Sequence, residues 1–209
     1  MNSEHELKFS TPEEGAPDEA ALREAVEAAG FELGPAVDVS HKDRYYDDSR
    51  LSLSRAGYAL RRRMGEGKVV ATLKTKGTVA GASHQRGELE LPLEGNDWPK
   101  AIYDRIAPVC VPGYLQPQTV IETERVIYSV LEEGAVVAIL SFDAVTGKAQ
   151  NGTASVSFNE VEVEAKGEVE ERKLEAIAQA VGQVLPLVPS ESTKLERVRQ
   201  LLMGGGPFA

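Results

Sequence analysis

Five stretches of this chain carry charge on every second residue with mostly apolar side chains between, a pattern that an extended strand sorts onto two opposite faces. Glu4, Glu6 and Lys8 share one face, and His5, Leu7 and Phe9 the other. Arg61 and Arg63 oppose Leu60 and Arg62; Thr72, Lys74 and Lys76 oppose Leu73. Arg86, Glu88 and Glu90 oppose Leu89 and Leu91; Glu160, Glu162 and Glu164 oppose Val161 and Val163. A plain solvated sheet face mixes in Ser, Thr and Gln and pairs Lys with Glu across strands. Here charge occupies two or three consecutive same-side positions, with cations on the middle strands and carboxylates on the first and last. A sheet that closes on itself turns such faces into one lumen with a cationic and an anionic wall.

That arrangement has a chemical consequence. Several Arg and Lys converging on one cavity call for a multivalent anion, because their repulsion otherwise destabilises the fold. Planar guanidinium groups match phosphate oxygens through bidentate, charge-assisted hydrogen bonds. Glu side chains in the same cavity repel that anion unless a hard cation lies between, and Mg²⁺ takes one or two carboxylates together with phosphate oxygens and waters.

The rest of the chain fits a barrel with helices outside. Strands are expected near 3–9, 38–47, 58–64, 68–76, 85–93, 118–131, 135–146 and 156–166, with Gly134 in a hairpin turn. Residues 12–17 and 77–83 read as loops. Residues 18–29 read as a helix capped by Asp18, followed by helices over 97–107, 168–185 and 192–203. This predicts a mainly β (α+β) fold, a closed eight-stranded antiparallel barrel with helices packed on it. One domain is expected over residues 1–203, with a flexible tail over 204–209.

Composition narrows the function. The 209 residues carry a net charge of −10, which disfavours nucleic-acid binding. Yet between Arg55 and Arg86 eight basic residues face a single acid, Glu66. No run approaches a membrane span, and no secretory leader is visible at the N-terminus. Cys110 is the single cysteine, so no internal disulfide forms; this fits the reducing cytoplasm.

The motifs, taken in order, resemble those of the CYTH family, the triphosphate tunnel metalloenzymes. Glu4-His5-Glu6-Leu7-Lys8 resembles the family's opening Glu-x-Glu-x-Lys. Leu60-Arg61-Arg62-Arg63, Thr72-Leu73-Lys74 and Arg86-Gly87-Glu88-Leu89-Glu90 resemble its middle strands. Asp143, Glu160-Val161-Glu162 and Ser192-Thr193-Lys194 resemble its late elements, so the resemblance spans residues 4 to 194. It implies an eight-stranded tunnel in which Glu4 and Glu6 are metal ligands, with Glu160 and Glu162 helping from the opposite wall. It also implies phosphate contacts from Lys8, Arg61, Arg63, Lys74, Arg86, Arg125 and Lys194, to which the strand face adds Lys76. Catalysis falls to Glu4, Glu6 and Lys8, while Glu88, Glu90 and Asp143 serve as charge partners behind them. One departure is Thr123, which stands where the family often has Lys.

The resemblance implies metal-dependent hydrolysis of inorganic triphosphate with Mg²⁺ or Mn²⁺, by a monomer or homodimer that contacts neither nucleic acid nor membrane. Rival readings are a class IV adenylate cyclase, a thiamine triphosphatase, and a non-catalytic module for polyphosphate or nucleotide. Several residues read as packing instead: His5 and Arg62 outside the lumen, Trp98 and one of Tyr45 and Tyr46 in the core, and Cys110 inert.

Overall fold

The computed structural model describes residues 2–12, 15–150 and 152–204; the expected loop over 12–17 and tail over 204–209 lie partly outside them. The first barrel strand, β1 (Asn2–Thr11), is followed by α1 (Glu19–Ala28), β2 (Glu32–Leu33), β3 (Val37–Asp47), α2 (Ser52–Arg55), β4 (Ala59–Gly65) and β5 (Lys68–Lys74). Next come β6 (Thr78–Ala80), β7 (Ser83–Pro92), α3 (Lys100–Ile106), β8 (Gln116–Glu132), β9 (Ala135–Ala149) and β10 (Ser155–Ala165). The chain ends with α4 (Glu171–Val181), β11 (Val188–Pro189) and α5 (Lys194–Leu202).

Eight strands close antiparallel in the order β1-β10-β9-β8-β3-β4-β5-β7 and back to β1. Closure is made by β1, whose residues 2–7 pair with β7 while residues 6–11 pair with β10. The first and last barrel strands are therefore neighbours, so Glu160 and Glu162 stand beside Glu6 and Lys8 and not across from them. Three short strands lie outside the ring: β2 on β8, β6 on β7 and β11 on β1. The expected loop over 77–83 is thus partly a hairpin, because β6 folds back on β7. Glu133 and Gly134 both take positive φ between β8 and β9, the geometry of a tight hairpin turn.

Two apolar belts wrap the barrel from outside. Leu7, Leu140, Phe142, Val161 and Val163 pack under α1 and α4 through Leu22, Val26, Leu174, Ile177 and Val181. Leu60, Leu73, Leu89 and Leu91 pack under α2 and α3 through Leu53, Ile102 and Ile106. Each such side chain stabilises the fold by about 1.5–3 kcal/mol on full burial. The Asp18 carboxylate caps α1 as expected, accepting from the Ala21 amide at 3.0 Å. Arg62 indeed points outward, stacked over Trp98 at 4.4 Å and Tyr46 at 5.0 Å. His5 also lies outside the lumen, 3.9 Å from Glu171.

A third apolar group sits inside the bore. Tyr45, Ile121, Val145 and Phe158 face inward and meet Leu195 and Val198 of α5. The helix thus plugs one end of the barrel. It fits only because residue 147 has no side chain: a Cβ there would lie 2.4 Å from the Val198 methyls.

Candidate functional site

The charged strand faces meet in the remaining part of the bore, a cavity of about 300 Å³. Its wall includes Glu4, Glu6, Lys8, Arg61, Arg63, Lys74, Arg86, Glu88, Glu90, Arg125, Glu162 and Lys194. Depth follows the strand. On β10, side-chain exposure rises from 0% at Glu160 through 8% at Glu162 to 33% at Glu164, so Glu160 lies beneath the floor, Glu162 on it and Glu164 near the mouth.

The floor is an acidic cluster threaded by cations. Asp143, Glu160 and Glu162 bring carboxylate oxygens within 4.8 Å of one another. The Lys194 ammonium lies 2.9 Å from Asp143, 2.6 Å from Glu160 and 2.6 Å from Glu162. Lys194 arrives there because the Thr193 hydroxyl and the Glu196 carboxylate form a reciprocal capping box that fixes the start of α5. From β1, Lys8 reaches Glu162 and lies 3.1 Å from Glu6. From β8, Arg125 grips Asp143 with two 2.6 Å hydrogen bonds and Glu162 with a third.

Further out, Lys74 and Arg86 hold Glu4 at 2.6 and 2.8 Å, and Arg86 also reaches Glu6 at 3.2 Å. Lys74 lies 3.3 Å from Glu88, and Thr72 donates to the exposed Glu90 at 3.1 Å. A third group was missed by the sequence reading. Asp43 on β3 accepts two 2.8 Å bonds from Arg63 and one of 3.3 Å from Arg61. Its signal was present: His41, Asp43, Tyr45 and Asp47 alternate along β3 as the charges do on the other strands. Asp47 does different work, accepting from Leu53 and Ser54 amides to secure α2.

The ion pairs balance. Seven cations (Lys8, Arg61, Arg63, Lys74, Arg86, Arg125, Lys194) meet seven carboxylates (Glu4, Glu6, Asp43, Glu88, Asp143, Glu160, Glu162). The expectation that the cations need a bound anion to keep the fold is corrected: the barrel supplies their counter-charges itself. Lys76 is also corrected. β5 stops at Lys74, and Lys76 is exposed beside a neighbouring groove of about 480 Å³.

Burial and charge shift the titrations in opposite directions. Burial disfavours the charged form of Glu4, but Lys74 and Arg86 outweigh it and bring its pKa to about 2. Burial likewise works against the Glu162 carboxylate and the Lys194 ammonium. Lys194, Lys8 and Arg125 nevertheless hold Glu162 well below the usual range, and the three acids raise Lys194 well above its own. For Glu160 burial wins, and its pKa is raised despite Lys194 and Lys8. Burial, then Arg63, pushes His41 down to about 4, so the imidazole is neutral at pH 7.

The floor fits a divalent cation by two observations. Three acids from two strands converge at coordination spacing, and Glu160 Oε2 is buried without a hydrogen-bond partner. Asp143, read from sequence as a charge partner, belongs to this trio. Glu6 adjoins it through Lys8, whereas Glu4 faces the cationic wall. Thr123 is buried beside Arg125 with its hydroxyl unpartnered.

Known proteins share this architecture. HpAC1 from Hippeastrum, named as an adenylyl cyclase and described as having a dominant triphosphatase activity, superposes with a TM-score of 0.66 at 18% identity, covering 94% of this chain and 95% of that one. A Bacillus halodurans protein assigned as an adenylate cyclase gives 0.56 at 17% identity, covering 94% and 98%. A Mimivirus capping enzyme triphosphatase gives 0.50 at 11%, covering 88% and 89%. These likenesses are of fold, and no curated protein matches the sequence. The family model of the CYTH domain matches residues 2–198, and the chain therefore belongs to the CYTH domain family.

Proposed function

We propose that this chain is a divalent-metal-dependent hydrolase of inorganic triphosphate. The observation that carries the reading is the lining of the 300 Å³ cavity, which is mostly charged and reaches Glu162, a member of a buried acid trio in which Glu160 Oε2 has no hydrogen-bond partner. A ligand that is charge from end to end suits such a lining; an organic group does not.

In this reading Asp143, Glu160 and Glu162 hold the metal, with Glu6 beside them and Glu4 completing the acidic side. Mg²⁺ or Mn²⁺, when bound, polarises a phosphoryl group and makes water a better nucleophile. Arg61, Arg63, Lys74, Arg86 and Arg125 clamp the phosphate oxygens, and Lys8 and Lys194 neutralise charge next to the metal. Such catalysis is mainly positioning and electrostatic stabilisation by groups already fixed in a closed barrel. The free, buried Cys110 suits a cytoplasmic setting, and the acidic chain leaves nucleic acid an unsuitable partner.

A second reading has its own support. The 480 Å³ groove shares Ala59, Lys74, Arg86, Thr193 and Leu195 with the cavity, which gives room for an organic group on a triphosphate. A panel of triphosphate, ATP, thiamine triphosphate and long-chain polyphosphate with Mg²⁺ or Mn²⁺ separates the readings. Phosphate from triphosphate is the expected main product, and Glu6→Gln should abolish it with the circular dichroism unchanged. Cyclic AMP as the main product, or full activity in Glu6→Gln, would contradict the proposal.

A further inference from the structure

We propose that metal and polyphosphate bind this chamber as a coupled pair, each strengthening the other, and that Lys194 is the group whose partners they exchange. The inference rests on reading the chamber as a metal–polyphosphate site and adds how the two ligands depend on one another.

The argument starts from the balance of charge. A divalent cation entering alone has to displace Lys194 from Asp143, Glu160 and Glu162, leaving a buried ammonium beside two new positive charges. A polyphosphate entering alone has to pull Arg86, Arg61 and Arg63 from Glu4 and Asp43, leaving buried carboxylates beside an anion. Breaking a largely buried pair from one side is costly, because the abandoned charge has little water to turn to. When both ligands enter, Asp143, Glu160 and Glu162 pass to the metal and the freed Lys194 ammonium passes to a phosphate oxygen. The charge that either ligand would strand at the trio is then met by the other.

Lys194 is placed for that exchange. Its backbone is fixed by the capping box, and the next residue, Leu195, is seated in the apolar plug with Val198. The side chain can therefore swing from carboxylate to phosphate while α5 stays in the barrel. Glu160 Oε2, fully buried and unpartnered, leaves one ligand atom open for the cation before Lys194 moves.

Calorimetric titration with Mn²⁺, and with an imido-bridged triphosphate that resists hydrolysis, tests the coupling without turnover. Mn²⁺ should bind at least about tenfold tighter when the analogue is saturating, and the analogue should gain by the same factor with Mn²⁺ present. Lys194→Met should bind Mn²⁺ alone several-fold tighter than wild type and lose most of the coupling. Affinities for each ligand that are the same within twofold with and without the other would overturn the proposal. A Lys194→Met protein, folded by circular dichroism, that gained no Mn²⁺ affinity would overturn the role of Lys194. If that variant does not fold, Lys194→Gln, which still donates hydrogen bonds to the carboxylates, takes its place with the same expected gain and the same overturning result. Coupled binding with no triphosphate hydrolysis would sink the proposed activity and leave this inference standing; hydrolysis with independent binding would do the reverse.

Discussion

The two halves of the barrel interior are built from the same strands yet solve opposite problems. On β8, β9 and β10, Ile121, Val145 and Phe158 meet α5, while Arg125, Asp143 and Glu160, four residues away on β8 and two away on β9 and β10, form the charged floor. The apolar half gains stability from burial and tolerates no extra volume. The charged half gains little, because desolvation opposes every pair it forms. It is kept ordered by sharing, with each carboxylate held by two or more cations, for all but Asp43 from different elements. A barrel interior built this way holds its binding groups in place before any ligand arrives, and the plug supplies the stability that the chamber does not.

The comparison can be broken most forcefully with acid. Glu4, Glu162 and Asp143 all have pKa values depressed in the folded chain. Their stabilisation is fully present above the unfolded value near 4.5 and is lost as pH falls toward the folded value of Glu4, about 2. Glu160, shifted upward, is relieved by its own protonation and opposes the trend only above that window. From pH 7 to 5 the neutral His41 loses stability while Glu160 gains it, so urea midpoints should change modestly there and fall steeply below. The apolar half does not titrate and contributes nothing to that slope.

Single substitutions should rank in the same way. Arg125→Met leaves Asp143 and Glu162 with buried, under-paired charge and should cost about 3–5 kcal/mol in urea unfolding. Gly147→Ala drives a Cβ into Val198 and should cost about 1–3 kcal/mol, with Val198→Ala restoring part of it in the double variant. Outside the barrel, Arg62→Ala removes a cation stacked over Trp98 and Tyr46 and should cost only about 0.5–2 kcal/mol. A larger loss from Arg62→Ala than from Arg125→Met would invert the account of which charges matter.

The sequence carried the strand faces but not their partners. Period-two charge gave the inward residues on β1, β4, β5, β7 and β10, because side-chain direction is a local property. The same rule applied to residues 41–47 would have found Asp43. What no local pattern contains is that β1 closes on both β7 and β10, which puts Glu6 beside Glu162 through the Lys8 ammonium. The neutrality of the chamber follows from that closure, and so it was invisible while the walls were read one at a time. Lys76 failed for a local reason: the alternation ran on past the end of β5, where the chain turns away at Gly77, whose missing side chain admits the Gln85 carbonyl. The helical pattern of α5 was legible, but its seat inside the bore depends on Gly147, forty-seven residues before Lys194 in sequence and opposite Val198 in space.

The most direct test is a crystal structure with Mn²⁺ and the imido-bridged triphosphate. An anomalous peak in contact with carboxylates of Asp143, Glu160 and Glu162, with phosphate oxygens on Arg61, Arg86 and Lys194, is the predicted result. Metal and analogue bound outside the barrel, with the ion pairs of the chamber intact, would contradict it.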